Sequence, residues 1–166
     1  MFQKFYPSKE VNSIYDIDYD SLYEQGYRGL IYDIDNTLTE HDAPATEEVK
    51  ALMEKLKAIG FGICLLSNNK EERVKMFNED IKVLYIYKAG KPSTKGYERA
   101  MELMGTKKDN TIFVGDQLFT DIYGANRTGI ASYLVKPIAS HEEIQIVLKR
   151  YLEKIVLYFY HKKRNG

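Results

Sequence analysis

At 166 residues the chain suffices for one domain that buries roughly two-thirds of its unfolded surface, with no room for a second. Its 24 Lys and Arg balance its 24 Asp and Glu, so no global field draws it to nucleic acid and any charge effect is local. The one cysteine, Cys64, lies in an apolar run without an internal partner, which fits a reducing compartment, with cytoplasm the default. No run approaches the length of a membrane span, and Met1 to Lys9 lacks the apolar core of a signal peptide.

Residues 1–12 read as a loose lead-in, and a short helix follows from about Asp18 to Gln25, ended by Gly26. Next comes Gly29-Leu30-Ile31-Tyr32-Asp33-Ile34-Asp35-Asn36-Thr37-Leu38-Thr39, an apolar strand closed by two carboxylates two positions apart. A D-x-D tripeptide is common by chance, and Asp16-Ile17-Asp18 repeats it without a strand before it; there Asp18 serves better as a helix N-cap. Thr46 can cap a helix with Val49, Leu52, Met53, Leu56 and Ile59 at helical spacing, ending at Gly60. Phe61 to Leu66 is a second strand, ending in Ser67-Asn68-Asn69, and a helix begins with Glu71 to Asn78. Val83 to Tyr87 is a third strand, and Thr94 to Met104 a helix closed by Gly105. Thr111 to Val114 is a fourth strand, with Gly115-Asp116-Gln117 leading into a helix near Thr120 to Arg127. Ser132 to Val135 is a fifth, and Glu142 to about Tyr160 a last, long helix before a basic tail. Strands alternating with helices predict a single Rossmann-like three-layer domain, its parallel sheet covered on both faces.

In such a sheet the residues just after each strand share one edge, where ligands gather. Asp33, Asp35 and Thr37 follow the first strand, Ser67 and Asn68 the second, Lys91 the third, and Asp116 the fourth, with Asp121 beyond. Two acids at a core strand's end repel and lose water, so they persist only with a shared cation or proton, and a divalent metal is the obvious remedy. Asp33 and Asp116 would offer hard oxygen ligands to Mg²⁺, Asp33 would attack phosphorus, and Asp35 would move the proton. Ser67 and Asn68, with nearby backbone N–H groups, would hold phosphate oxygens, and Lys91 would neutralise charge. Asp121 suits support, through water or Lys91, better than ligation. Taken singly each has a bland alternative: Ser67-Asn68 as a helix cap, Lys91 as a solvated lysine, Asp116 as a turn residue.

These residues resemble the four motifs of the haloacid dehalogenase (HAD) superfamily: Asp33-Ile34-Asp35-Asn36-Thr37, Ser67, Lys91-Pro92, and Gly115-Asp116-Gln117-Leu118-Phe119-Thr120-Asp121. More narrowly, D-I-D-N-T-L, L-S-N-N, A-G-K-P and G-D-Q-L-F-T-D followed by V-K-P-I are similar to the YqeG family of type IIIA phosphatases. The resemblance implies Asp33 as nucleophile, Asp35 as acid/base with its backbone carbonyl on Mg²⁺, Asp116 as the other protein ligand, and Thr37 orienting Asp35. It also implies a fold without a cap domain, since roughly thirty residues separate Asp35 from Ser67 and fewer separate Ser67 from Lys91. An uncovered site suits a substrate that excludes water itself, such as a lipid phosphate, and relatives include phosphatidylglycerophosphate phosphatases.

At the C-terminus, Ile144, Val147, Leu148, Tyr151, Ile155 and Tyr158 make one apolar stripe, while Val156, Leu157, Phe159 and Tyr160 spread apolar surface around the helix end beside His161-Lys162-Lys163-Arg164. Aromatics next to cations suit an anionic membrane surface; packing on the sheet with a solvated tail is the other reading. The expectation is therefore a Mg²⁺-dependent phosphomonoesterase on a lipid phosphate. Its rivals are the same chemistry on a soluble phosphoester, such as a nucleotide or sugar phosphate, and a non-catalytic phosphate-binding module, which would have no need of a leaving-group acid at Asp35. The oligomeric state is open.

Overall fold

The run Gly29–Tyr32 is wholly buried, and the computed structural model, which describes residues 2–138 and 144–165, puts it in the middle of a parallel sheet. In chain order the strands are β1 (Lys9–Val11), β2 (Gly29–Tyr32), β3 (Gly62–Leu66), β4 (Leu84–Ile86), β5 (Thr111–Gly115) and β6 (Ala131–Val135). The helices are α1 (Tyr19–Glu24), α2 (Glu47–Ile59), α3 (Glu71–Asn78), α4 (Thr94–Met104), α5 (Tyr123–Thr128) and α6 (Ile144–Arg164). The sheet runs β1-β6-β5-β2-β3-β4, all parallel. From β2 the chain winds outward to β3 and β4, then returns to β5 on the opposite side of β2. That reversal opens a crevice beyond the carboxyl end of β2, the place where doubly wound sheets bind ligands.

Alternation along the strands assigns the layers. Leu30 and Tyr32 pack with Ile63, Leu65, Ile112 and Val114 under α1, α2 and α3, while Ile31, Cys64, Leu66 and Phe113 face α4 and α5. Caps act where the sequence places them. The Asp18 side chain accepts the Ser21 N–H and Thr46 that of Val49, and Gly60 closes α2 at φ 117°, a left-handed conformation that glycine adopts without penalty. Between β2 and β3 stand only the loop 33–46 and α2, and between β3 and β4 only α3 and short connections, so no cap module is inserted.

The lead-in is not all loose. Lys9, Glu10 and Val11 pair with Tyr133, Leu134 and Val135, adding an edge strand beside β6. Two of its three residues, Lys9 and Glu10, carry charged side chains, which suits an edge, and their ladder partner lies more than 120 positions away, so local pattern carries no sign of it.

The last helix also departs from expectation. It continues to Arg164, so His161–Arg164 extend it, and the His161 ring meets the Glu10 carboxylate on β1. Its inward line is Glu153, Val156 and Tyr160, with Leu157 partly covered. Leu148, Tyr151, Ile155 and Tyr158 of the expected stripe face solvent, Leu148, Tyr151 and Tyr158 each more than 60% exposed. Both faces are apolar, and the choice between them falls to Leu118, Ile122 and Leu134, which form a small cluster with Val156. The start of the helix at Glu142 and Glu143, and the Ile144 and Val147 side chains, lie outside what the structure describes.

Candidate active site

β2 ends in a tight loop. The Asp33 N–H still donates to the Val114 carbonyl of β5, and Thr37 and Leu38 then donate to the Ile34 carbonyl while Asn36 turns the chain at φ 62°. That left-handed value is one an asparagine tolerates better than most residues. The loop presents Asp33 to the crevice. From the carboxyl ends of β3, β4 and β5 come Ser67 with Asn68, Lys91, and Asp116 with Asp121. The polar cleft there encloses about 310 Å³ and is lined by Asp33, Asp35, Ser67, Asn68, Lys91 and Asp121 among others.

Lys91 is the hub. Its ammonium donates to Asp33 Oδ1 at 2.8 Å and to Asp121 Oδ1 at 2.7 Å, with the side chain 3% exposed. It is no solvated surface lysine. Asn68 clamps its main chain, accepting the Lys91 N–H at 2.8 Å and donating to the Lys91 carbonyl at 3.1 Å. Ser67 is buried and its Oγ accepts the Asn69 N–H at 3.0 Å.

The Thr37 hydroxyl lies 3.3 Å from Asp33 Oδ2 and 3.1 Å from Asp116 Oδ1, so it stands between those two acids rather than on Asp35. Carboxylate oxygens of Asp33, Asp116 and Asp121 all fall within 4.8 Å of one another. Asp121 Oδ2 accepts the backbone N–H groups of Asp116 and Gln117 at 3.2 and 3.1 Å, tying the β5 loop to Lys91. The Asp35 carboxylate turns the other way. Its Oδ1 accepts Arg73 Nη2 at 2.9 Å, Arg73 Nε at 3.2 Å and the Asp42 N–H at 2.9 Å, with His41 Nδ1 3.9 Å off.

Three residues carry no mark in the sequence. Arg73, on α3, holds Asp35. Arg150, on α6, donates to both the carboxylate and the carbonyl of Asp116, and Glu153 accepts Arg150 Nη1 and the Leu118 N–H, each at 3.0 Å. Their only sequence signal is the i, i+3 spacing of Arg150 and Glu153, which any solvated helix pair would share.

Buried acids outnumber cations here: Asp33, Asp116, Asp121 and Glu153 against Lys91 and Arg150. Burial, then Asp121, pushes the Asp33 carboxyl well above the ordinary range despite Lys91. Burial and Asp121 likewise push Asp116 up to about 6, with Arg150 opposing, and burial raises Glu153. For Lys91 burial pulls the ammonium down, but Asp121 and Asp33 outweigh it and the pKa rises. The asymmetry has a simple cause: one ammonium serves two acids and cannot offset both.

A parallel α/β sheet with acids at its switch point is the arrangement of HAD hydrolases, and a family model described as HAD-hydrolase-like matches residues 88–144. Among solved structures the fold is similar to a cobalt-bound deoxy-D-mannose-octulosonate 8-phosphate phosphatase (YrbI) from Haemophilus influenzae. That superposition has a TM-score of 0.53 and 15% identity, and covers 68% of this chain and 80% of that one. The sequence is 40% identical over 159 residues to the probable phosphatase YqeG of Bacillus subtilis (strain 168), covering 95% of this chain and 92% of the relative. The chain belongs to the YqeG family of HAD phosphatases. It is also 28% identical over 168 residues to phosphatidylglycerophosphate phosphatase 1, chloroplastic/mitochondrial, of Arabidopsis thaliana, matching 89% of this chain but spanning only about half, 48%, of that longer protein.

Proposed function

We propose that the chain is a Mg²⁺-dependent phosphomonoesterase that works through a phosphoryl group carried on Asp33, and that its substrate is a lipid phosphate at an anionic membrane surface. The observation that carries the chemistry is the buried surplus of carboxylates at the end of β2. Such a surplus is relieved by taking up protons or by a further cation, and hard carboxylate oxygens match Mg²⁺. Asp33, Asp116 and the Asp35 carbonyl would hold the ion, Asp121 remaining engaged with Lys91 and two backbone N–H groups. Bound there, Mg²⁺ supplies positive charge for the non-bridging phosphoryl oxygens.

Asp33 attacks phosphorus, and a carboxylate O–P bond forms as the bond to the leaving alkoxide breaks. Asp35 gives that alkoxide its proton. Asp35 then takes a proton from water, whose oxygen attacks phosphorus and breaks the bond to Asp33, releasing inorganic phosphate. Lys91 offsets charge beside Asp33 throughout, Thr37 keeps Asp33 and Asp116 in register, and Ser67 lines the phosphate end of the cleft. Arg73, by holding Asp35 Oδ1, limits the directions in which that acid presents its proton.

For the substrate, a cleft of about 310 Å³ without a cap takes a phosphate and its first few neighbours and leaves the remainder outside. α6, whose Arg150 reaches Asp116, exposes Leu148, Tyr151, Leu152, Ile155, Tyr158 and Phe159 and ends in Lys162, Lys163 and Arg164. Apolar groups next to cations favour an anionic interface, each cation adding about 1 kcal/mol. The plant relative's name supports the same class. Among the described residues no helix is long and apolar enough to cross a membrane, so the contact proposed is peripheral. The test is turnover of phosphatidylglycerophosphate in mixed vesicles against a panel of nucleotide and sugar phosphates, with Asp33→Asn as blank. A kcat/KM at least tenfold higher on the lipid is expected. Preference for a soluble phosphate would reject the lipid assignment, and absence of turnover on every phosphate would reject catalysis.

A further inference from the structure

α6 reaches the site through Arg150. The Arg150 guanidinium places Nη2 on Asp116 Oδ2 and Nη1 on the Asp116 carbonyl, gripping the side chain and main chain of the same residue. Glu153 backs it, accepting Nη1 with one oxygen and the Leu118 N–H with the other, so the pair is anchored to the loop that follows Asp116. Both side chains are largely out of water, Arg150 at 15% exposure and Glu153 at 6%. Desolvating such a pair is costly enough that stability alone is a weak reason for keeping it. Its geometric effect is specific: with Oδ2 engaged, Asp116 turns Oδ1 toward Thr37 and Asp33, 3.1 Å from the Thr37 hydroxyl. A lysine cannot reproduce this, since a single ammonium lacks the planar fork that spans a carbonyl and a carboxylate together.

We propose that Arg150 is a positioning residue of the cation site: held by Glu153, it fixes Asp116 so that Oδ1 faces Asp33, which makes α6 part of the active centre. The inference rests on the reading of Asp33 and Asp116 as cation ligands given above. Outer partners of ligating carboxylates, when removed, cost about 10- to 100-fold in metal affinity.

The experiment is calorimetric titration of Mg²⁺ into the full-length chain as wild type, R150Q, R150K, E153Q and D116N, with the Mg²⁺ concentration for half-maximal activity measured in parallel. R150Q should bind Mg²⁺ about 10- to 100-fold more weakly. Its half-activating Mg²⁺ should rise by the same factor, while kcat at saturating Mg²⁺ falls far less. R150K, with the charge but not the fork, should be weakened too, and E153Q by a smaller factor. A folded R150Q that binds Mg²⁺ as tightly as wild type overturns the proposal, and so does one that binds more tightly, because Arg150 would then be a competitor of the cation. Should R150Q fail to fold, R150K decides on the same terms. D116N is expected to abolish binding; if it binds like wild type, the cation-site reading falls, whereas loss of binding in D116N beside an unaffected R150Q sinks only the role given to Arg150.

Discussion

Replacing Lys91 by methionine removes an ammonium while keeping most of the side chain's volume, and its consequences follow from two distances. Nζ sits 2.8 Å from Asp33 Oδ1 and 2.7 Å from Asp121 Oδ1. Taking one partner out of a buried pair leaves an uncompensated charge and costs about 3–5 kcal/mol. Against a domain stability of about 5–15 kcal/mol, that is a large share. The loss depends on pH. The Asp33 carboxyl already lies well above its ordinary range, so the native state binds its proton more readily than the unfolded chain does. A group raised in this way destabilises at high pH and recovers as pH falls through the native pKa, and without Lys91 that pKa rises further. Urea unfolding in EDTA should therefore show K91M destabilised by about 3–5 kcal/mol at pH 8 and by clearly less at pH 5.5. K91M/D121N, with one acid fewer, should regain much of the loss at pH 8 without regaining turnover. K91M within about 1 kcal/mol of wild type at pH 8, or a loss that ignores pH, would refute the claim that this ammonium holds two buried acids together.

Other consequences are as concrete. A Cβ on Gly115 would stand 2.6 Å from Asp121 Oδ2 and 2.7 Å from its Cβ, so Gly115→Ala must displace the acid that carries Lys91. A melting curve should show about 1–3 kcal/mol of overpacking loss, and kcat/KM should drop with it. Asp116 at about 6 is a carboxyl raised above its unfolded value near 3.8. The metal-free protein should therefore gain stability as pH falls from 7.5 toward 4.5, by about 2 kcal/mol at about 1.4 kcal/mol per unit once pH is below the native pKa. Saturating Mg²⁺ should reverse that slope in calorimetric melts, because protons and cation compete for the same oxygens. Tyr151→Glu with Tyr158→Glu on the exposed face of α6 should weaken sedimentation with anionic vesicles at least tenfold while turnover of a soluble phosphate holds steady; unchanged sedimentation would remove this face from any membrane contact.

Much of this arrangement is legible in one sequence because buried parallel strands are written as short apolar runs. Ile31 and Tyr32 before Asp33, Leu66 before Ser67 and Val114 before Gly115-Asp116 mark strand ends, and parallel topology brings strand ends together. Legibility stops where long side chains cross between elements. Arg73 reaches Asp35 over 38 positions and Arg150 reaches Asp116 over 34, distances at which neither spacing nor composition distinguishes a buried arginine from a solvated one. Thr37 is visible as a small polar residue after the acids, but that its hydroxyl meets Asp33 and Asp116 depends on how Asn36 turns the loop. Asn68 likewise reads as a phosphate contact or a cap, whereas its amide clamps the Lys91 main chain. On α6 two apolar lines compete, and the buried one contains Glu153, which local hydrophobicity would exclude; only the Leu118 N–H and Arg150 explain why an acid belongs there.

The central claim is that Asp33 carries the phosphoryl group, and trapping it is the direct measurement. Wild-type protein turning over a radiolabelled phosphomonoester with Mg²⁺, quenched in acid and mapped by mass spectrometry, should yield phosphate on the peptide containing Asp33, labile to hydroxylamine and missing from Asp33→Asn. Label on another residue, or turnover that survives in Asp33→Asn, would contradict the account.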